Sequence, residues 1–373
     1  MLNRRHFLQS TAATAAVAYA QGQLKRIAIV AGAYQADSPV SNLADRFLVG
    51  YPAAGAWHKP RVKVATLYVE QKGAGDLSGD RAKEFGLTLA ASVADAVKGA
   101  DGVLLLEPRL FDDCVKAFEQ AGRGVPVYVY KSLGASFDKA KSMVEASRRL
   151  RFPLMAASAG PFTWRLPAID LPANVELESA LVVTHADESE AIENLQCMVE
   201  RRRGGETGVK SVELVTGAAV WKAVDEGRIS KDLLTAALSR SDTPMGLTEK
   251  DGRTQDLVKS GELRNLAKSP SAYLIDYRDG LKAAVVKVEG AIRDVNFAAK
   301  GKGSGQAWST QFLMTPAPVF THSACLAHYI EQMFETGVTP VPVERPLVVA
   351  GILDKRGEAI SYKSPKDSQF ART

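Results

Sequence analysis

A short buried strand that ends in a lysine is the feature of this sequence with the clearest chemical use. Residues Val125 to Val129 are β-branched and aromatic, Tyr130 and Lys131 follow them, and a helical pattern runs from Phe137 to Leu150. In an open α/β sheet, ligands bind beyond the carboxyl ends of the strands, where a lysine can reach them and can lose its proton more readily. We therefore predict that Lys131 is catalytic. The alternative is an ion pair with a carboxylate at the sheet edge.

Two glutamates further along the chain are candidates for a catalytic base. Glu190 and Glu193 lie three residues apart in a helix predicted from Glu188 to Arg202, so they share one face of it. Either carboxylate could accept a proton from a substrate if burial raised its pKa. The alternative, which the sequence favours, is an ordinary solvated helix face.

A tryptophan and an arginine follow the strand pattern of the first half of the chain. Trp164 could stack against a sugar ring, and Arg165 could bind an anionic or hydroxyl-rich ligand, so both are candidate substrate-binding residues. The alternative is that Trp164 packs a junction between two domains while Arg165 forms a salt bridge across that junction.

Short apolar strands alternate with helical patterns in the first half of the chain, which predicts a parallel sheet with helices on both faces. The predicted strands are Arg26 to Val30, Val62 to Val69, Gly102 to Leu106, Val125 to Val129 and Pro153 to Ala157. The predicted helices are Pro39 to Val49, Asp80 to Phe85, Ser92 to Val97, Phe111 to Ala121 and Phe137 to Leu150.

After Ala159 consecutive strands without crossover helices predict a mainly antiparallel sheet. The clearest signal is a hairpin formed by Ala272 to Tyr277 and Leu281 to Val288, and a helix from Ser323 to Glu335 is expected to close this domain. The predicted fold class is therefore α/β, with an N-terminal Rossmann-like parallel sheet (residues 21–160) and a C-terminal α+β domain (161–360) before a flexible tail (361–373). An exposed face of the second sheet would favour a homo-oligomer.

The turn after the first strand has the register of a dinucleotide-binding loop without its glycines. The three positions of the Gly-x-Gly-x-x-Gly pattern hold Ala31, Ala33 and Ala36, with Gly32 between the first two. Glu70 ends the second strand, where an acidic residue commonly binds the ribose hydroxyls of NAD. These positions are the candidate cofactor site. The alternatives are a tight turn in a domain that has lost its nucleotide and a solvated carboxylate.

Together these segments resemble the glucose-fructose oxidoreductase / inositol dehydrogenase / MocA (Gfo/Idh/MocA) family, from about Arg26 to about Leu353. The resemblance is carried by the segments Arg81 to Gly86, Asp101 to Val103, Val125 to Leu133 and Ala140 to Ala146. It implies an NAD- or NADP-dependent oxidoreductase that acts on a sugar, a polyol or a related small molecule. It also implies that Glu107 and Pro108 lie beside the cofactor.

The sequence departs from the pattern of that family in its chemical groups. Tyr130-Lys131-Ser132 stands where family members carry Glu-Lys-Pro, so only the lysine is kept. Glu107-Pro108-Arg109 replaces a threonine- or serine-proline-asparagine segment, and the helix that carries Glu190 and Glu193 has no histidine. The alternative function is therefore a non-catalytic ligand-binding or scaffold protein that keeps the fold without nucleotide binding or turnover.

Composition and targeting signals limit the classes of partner. Among 373 residues the formal net charge is only +5, and basic residues do not interleave with aromatic ones, so nucleic-acid binding is not expected. Arg4-Arg5-His6-Phe7-Leu8, an alanine-rich stretch and Ala18-Tyr19-Ala20 predict a twin-arginine signal peptide over residues 1–20, export to the periplasm or beyond, and no permanent membrane anchor. Five histidines without clustered carboxylates predict no metal site.

Overall fold

The first lobe is a parallel sheet with helices on both faces, as the sequence predicts, and a short sixth strand, Thr88–Leu89, joins the five predicted ones. The computed structural model describes residues 24–134, 136–185, 187–316 and 319–364, so the predicted signal peptide lies outside the described residues. In chain order the elements of the lobe are β1 (Lys25–Ala31), α1 (Pro39–Val49), β2 (Tyr51–Ala53), β3 (Ala56–His58), β4 (Val62–Val69), α2 (Ser78–Phe85), β5 (Thr88–Leu89), α3 (Val93–Val97), β6 (Gly102–Leu105), α4 (Phe111–Ala121), β7 (Val127–Tyr130), α5 (Phe137–Leu150) and β8 (Leu154–Ala157).

The strand order of this sheet brings the candidate residues to one edge. The order is β5-β4-β1-β6-β7-β8, so the direction of chain progress reverses between β1 and β6, which is where α/β sheets open a ligand crevice. The residues that follow the four central strands are, along that edge, Glu70, Gly32, Glu107 and Lys131. The small hairpin β2–β3 lies in the connection between α1 and β4.

The second lobe is a seven-stranded mixed sheet that is mainly antiparallel, as predicted. Its elements are β9 (Arg165–Leu166), β10 (Leu177–Thr184), α6 (Glu188–Val199), β11 (Val209–Thr216), α7 (Ala218–Asp225), α8 (Lys231–Leu238), α9 (Leu247–Asp251), α10 (Glu262–Leu266), β12 (Ser271–Tyr277), β13 (Lys282–Lys287), β14 (Val295–Gly301), β15 (Ala307–Phe312) and, after the helix α11 (Thr321–Thr336), α12 (Glu344–Leu353). The strand order is β11-β12-β13-β10-β14-β15-β9, and within the described strands of this sheet only β10 and β13 pair in parallel.

Helices cover both faces of the second sheet, which differs from the expectation of an exposed face. On one face the core includes Ile192, Leu195 and Val348 from α6 and α12. On the other face it includes Val220 and Leu234 from α7 and α8. The segment between α8 and β12 is mostly polar in sequence, but its leucines Leu257 and Leu263 are buried in this second core. The described structure therefore removes the open face on which the prediction of subunit pairing depends.

The late helix α11 packs on the first lobe and not on the second, so the expectation that it closes the second domain is wrong. Its apolar residues Leu326, Ile330 and Phe334 join the core beneath β1 and α1. A Cβ at Gly102 in β6 would lie 2.6 Å from the Phe334 ring, so glycine is what allows this close approach. The chain thus crosses from the first lobe to the second and back again.

The end of the described chain is also anchored. The hydroxyl of Tyr362 donates a hydrogen bond of 2.7 Å to Glu200 Oε2, and the Tyr362 backbone pairs with Glu206. The prediction of a flexible tail from residue 361 is therefore wrong for this tyrosine, while residues 365–373 lie outside the described chain. None of the helices described is long and apolar enough to cross a bilayer.

Candidate functional site

A cavity of about 190 Å³ opens at the junction of the two lobes, beside the carboxyl end of β7. Residues after β7 and β8 and at the starts of α1, α6 and α11 line it. The polar side chains that line it are those of Asp37, Asn42, Tyr130, Lys131, Ser158, Glu190, His322 and Ser323. Acids, bases and hydroxyl groups therefore converge on a space of a size suited to a small polar molecule.

Lys131 stands on a strained turn at the mouth of this cavity. Its backbone φ is +62°, a left-handed conformation that non-glycine residues adopt only where the surrounding structure enforces it. Buried Leu133 fixes the loop that follows, and the Lys131 Nζ lies 3.6 Å from the Asp187 Oδ2 at the start of α6. The predicted alternative, an ion pair at the sheet edge, is thus present, but the side chain is still 37% exposed and lines the cavity.

Glu190 faces Lys131 from the other lobe. Burial raises the pKa of the Glu190 carboxyl, while the Lys131 ammonium and the Gly160 backbone amide act in the opposite direction. Because Asp187 adds a second negative charge nearby, it raises the pKa further. The carboxyl group of Glu190, which lines the cavity, therefore keeps its proton to a higher pH than an exposed glutamate does.

Glu193 lies one turn further along α6 and is 3% exposed. The Ser158 backbone N–H donates a 2.7 Å hydrogen bond to Glu193 Oε2, while Oε1 has no hydrogen-bond partner among the described residues. Burial raises the pKa of this carboxyl to about 7, against the effect of Ser158. The interpretation of Glu190 and Glu193 as a solvated helix face is therefore wrong, because the edge of β8 covers that face of α6.

His322 is a cavity residue, whereas the sequence alone indicates only a lone surface histidine. It lines the cavity from the start of α11, and its Nδ1 is buried with no hydrogen-bond partner among the described residues. Burial lowers the pKa of this imidazole to about 4, and the nearby Arg46 acts in the same direction. The one sequence signal for a role of this residue is its type, histidine. Its place in the cavity depends on the return of α11 to the first lobe, which the local sequence pattern does not reveal.

The predicted cofactor loop lies at the crevice between β1 and β6. Ala31 ends β1, Gly32 is buried, and the chain runs on to Ser38 before α1 begins. Tyr34 anchors this longer loop, since its ring is fully buried and its hydroxyl donates to Asp45. The amide of Ser41 is already capped by the Ser38 hydroxyl at 3.1 Å, and Pro39 has no amide hydrogen, so few free donors remain at this helix start.

Two carboxylates and one guanidinium lie over the loop. Glu107, which follows β6, and Glu70, which follows β4, both contact Arg109, with nitrogen–oxygen distances of 3.1 Å each. Pro108 begins the short turn Pro108–Leu110, and the Glu107 side chain accepts the Arg109 backbone N–H at its start. The structure thus brings the candidate residues Gly32, Glu70 and Glu107 together beside Arg109.

Comparison with known proteins gives a match in structure and none in sequence, since no protein-family profile and no curated protein sequence matches the chain. GenD2 from gentamicin A biosynthesis, solved in complex with NAD, aligns over 93% of this chain and 96% of its own, with 12% identity and a TM-score of 0.57. Apo scyllo-inositol dehydrogenase from Lactobacillus casei aligns over 91% and 97%, with 11% identity and a TM-score of 0.55. A Gfo/Idh/MocA family oxidoreductase from Vibrio cholerae aligns over 88% and 95%, with 12% identity and a TM-score of 0.51. The chain has the Gfo/Idh/MocA fold.

Within this Gfo/Idh/MocA fold the structure does not bring Trp164 and Arg165 to the cavity. Trp164 is 44% exposed on the edge segment before β9. Arg165 is 5% exposed, and its guanidinium lies 3.3 Å from Asp170 Oδ1 and donates to the carbonyls of Pro161 and Thr163. Because the Arg165 side chain is buried, pairs with Asp170 and lies outside the lining of the cavity, it has a structural role, and the prediction that it binds substrate is wrong.

Proposed function

We propose that the chain is an NAD(P)-dependent oxidoreductase of the Gfo/Idh/MocA type that interconverts an alcohol and a carbonyl on a sugar, a polyol or a related small molecule. The observation that carries this proposal is the meeting of Lys131 and Glu190 across a polar cavity at the edge of the parallel sheet. The similarity to GenD2 and to scyllo-inositol dehydrogenase supports it through the fold.

The backbone and the polar groups of the crevice suit a dinucleotide, provided that the Glu107 side chain moves away from Gly32. A Cβ on Gly32 would meet only the rotatable end of Glu107 as its three nearest atoms, so no backbone blocks a close approach. Gly32 would lie against the pyrophosphate, Glu70 would accept the ribose hydroxyls and Arg109 would face the phosphates. Bound NAD(P) would supply the hydride acceptor or donor.

The chain's own residues would handle the proton. The Lys131 ammonium would donate a hydrogen bond to the reacting oxygen, stabilising negative charge as it develops. The Glu190 carboxylate would take the hydroxyl proton during oxidation and return it during reduction. Neutral His322 and the amide of Asn42 would hydrogen-bond further hydroxyl groups, which favours a polyhydroxylated ligand.

One observation favours a second function, a ligand-binding protein without turnover. The carboxylate of Glu107 occupies the place of closest approach to Gly32, where a pyrophosphate would bind. In that case the cavity beside Lys131 would bind a small polar ligand while the crevice stays closed to nucleotide.

The two functions separate in one set of measurements on the purified protein. Isothermal calorimetry with NAD⁺, NADH, NADP⁺ and NADPH is followed by spectrophotometric assays of a panel of hexoses, inositols and sugar acids. Nucleotide binding together with reduction of NAD(P)⁺ by at least one polyol supports the oxidoreductase. Binding of a panel compound with no nucleotide response at millimolar concentration would establish the second function instead.

We also propose that the protein is exported in folded form by the twin-arginine route, on the support of Arg4-Arg5 and the residues that follow. Fractionation of a host with and without that pathway tests it: the protein is expected outside the cytoplasm only in the competent host. Retention in the cytoplasm of both hosts would refute this localisation.

A further inference from the structure

The Glu107 side chain takes the place that a bound phosphate would need at Gly32. The position of a Cβ on Gly32 lies 2.6 Å from Glu107 Oε2 and 3.3 Å from its Cγ, so only the absence of a side chain at residue 32 lets the carboxylate lie there. Gly32 has no positive φ, so backbone conformation does not explain its glycine. The absence of a side chain at Gly32 leaves room for an anion, and the Glu107 carboxylate occupies that room.

Arg109 holds this carboxylate in position. Its Nε lies 3.1 Å from Glu107 Oε1, and one terminal nitrogen lies 3.1 Å from Glu70 Oε2, so one guanidinium bridges two acids that come after the strands on either side of β1. The guanidinium is 63% exposed and can turn toward an incoming ligand, whereas the Glu107 carboxyl is 24% exposed and lies deeper. The three groups carry a net charge of −1, which opposes a second anion.

We propose that Glu107 is a built-in competitor of the cofactor pyrophosphate: a nucleotide binds only when the Glu107 carboxylate leaves Gly32, and Arg109 then passes from Glu107 to the phosphates. This inference rests on the proposed function and deepens it. It makes Glu107 the residue that sets nucleotide affinity. It also explains why residue 32 is a glycine although the three glycine positions of the Gly-x-Gly-x-x-Gly pattern hold alanine.

Two variants separate the charge of Glu107 from its bulk. Glu107→Gln removes the charge and keeps an oxygen that can accept the Arg109 amide. Glu107→Ser also removes the bulk and is a good residue for the start of the turn. We expect NADH to bind at least tenfold more tightly to both variants than to the natural protein. The matched control is Glu119→Gln on α4, which removes an exposed carboxylate paired with Arg149 and is expected to change the affinity less than twofold.

Adenosine serves as a probe without phosphate, and its affinity is expected to stay within twofold in both variants. Equal affinity of NADH for the natural protein and both variants would overturn the inference and leave the proposed oxidoreductase intact. Failure of all three proteins to bind any nicotinamide nucleotide would overturn both. Binding by the variants alone would support the inference and assign the natural protein to the second function.

Discussion

Lys131 and Asp187 join the two lobes at the cavity, with 3.6 Å between the lysine Nζ and the aspartate Oδ2. Lys131 follows β7 of the first lobe, and Asp187 caps α6 of the second by accepting the Glu190 amide. The ammonium therefore faces two acidic groups on the opposite lobe, Asp187 and Glu190. An exposed ion pair of this kind contributes little stability. A ligand that enters between the lobes can therefore compete with Asp187 for the Lys131 ammonium.

Replacing Lys131 by Met should abolish most of the turnover and leave the fold intact. The loss of the hydrogen-bond donor and of the nearby charge is expected to lower kcat by about 100-fold or more, which is typical of a removed proton-transfer group. The thermal midpoint should change little, and steady-state kinetics with the best panel substrate measures the effect. The control is Lys116→Met on α4, an exposed lysine paired with Asp113. Equal kcat in both variants would contradict the role of Lys131.

Replacing Glu193 by Gln should stabilise the protein at high pH. Burial raises the pKa of Glu193 from 4.5 to about 7, so the folded state binds this proton more tightly than the unfolded state does. Its contribution is therefore fully present below about pH 4.5 and is lost as the pH rises through about 7. The total is roughly 3 kcal/mol at about 1.4 kcal/mol per pKa unit. Urea unfolding of both proteins from pH 5 to pH 8 should give curves that diverge as pH rises, and parallel curves would be inconsistent with a buried carboxyl.

Replacing His322 by Gln should weaken ligand binding without removing a titrating base. Since burial lowers the pKa of His322 to about 4, the imidazole is neutral across the working range and acts as a hydrogen-bonding group. We expect KM to rise about tenfold, the loss of roughly one hydrogen bond to a ligand, with little change in kcat. Unfolding below pH 6.5 gives a second readout. Because the unfolded chain takes up a proton there first, the natural protein should lose more stability than the variant as the pH falls toward 4. An unchanged KM would place His322 outside the ligand site.

Replacing Arg165 by Ala should damage stability more than ligand affinity. The change leaves Asp170 without its buried partner and frees the carbonyls of Pro161 and Thr163. The cost is expected to be about 3 kcal/mol, as for one broken partner of a buried ion pair, and chemical denaturation measures it. Trp164→Ala is the comparison, since this ring is 44% exposed and should cost less than 1 kcal/mol. A stable Arg165 variant with lost ligand binding would restore the substrate-binding role.

The first sheet could be predicted from the sequence because its signals are local. Helices α1, α4 and α5 have the bounds that the apolar period predicts, with serine caps before α1 and α5 and glycines after α1 and α4. The hairpin of β12 and β13 follows in the same way from alternation around Asp279-Gly280. These elements are set by neighbours within one or two turns.

The candidate site was only partly predictable because its decisive contacts join distant residues. Lys131 is visible from its strand alone. Burial of Glu193 depends on Ser158, 35 residues away, and the place of His322 depends on the packing of Phe334 against Gly102. The role of Arg165 reversed for the same reason, since Asp170 and the carbonyls around it close on its guanidinium only in the folded chain.

Because α11 packs on the first lobe, a single cut in the chain cannot separate the two lobes into complete units. Leu326, Ile330 and Phe334 fill the underside of the parallel sheet, so a fragment cut after residue 160 would expose that apolar surface and aggregate. The first lobe is completed by α11, which follows the whole second sheet in the chain. Stable folding of the amino-terminal lobe must therefore wait until the ribosome has released α11.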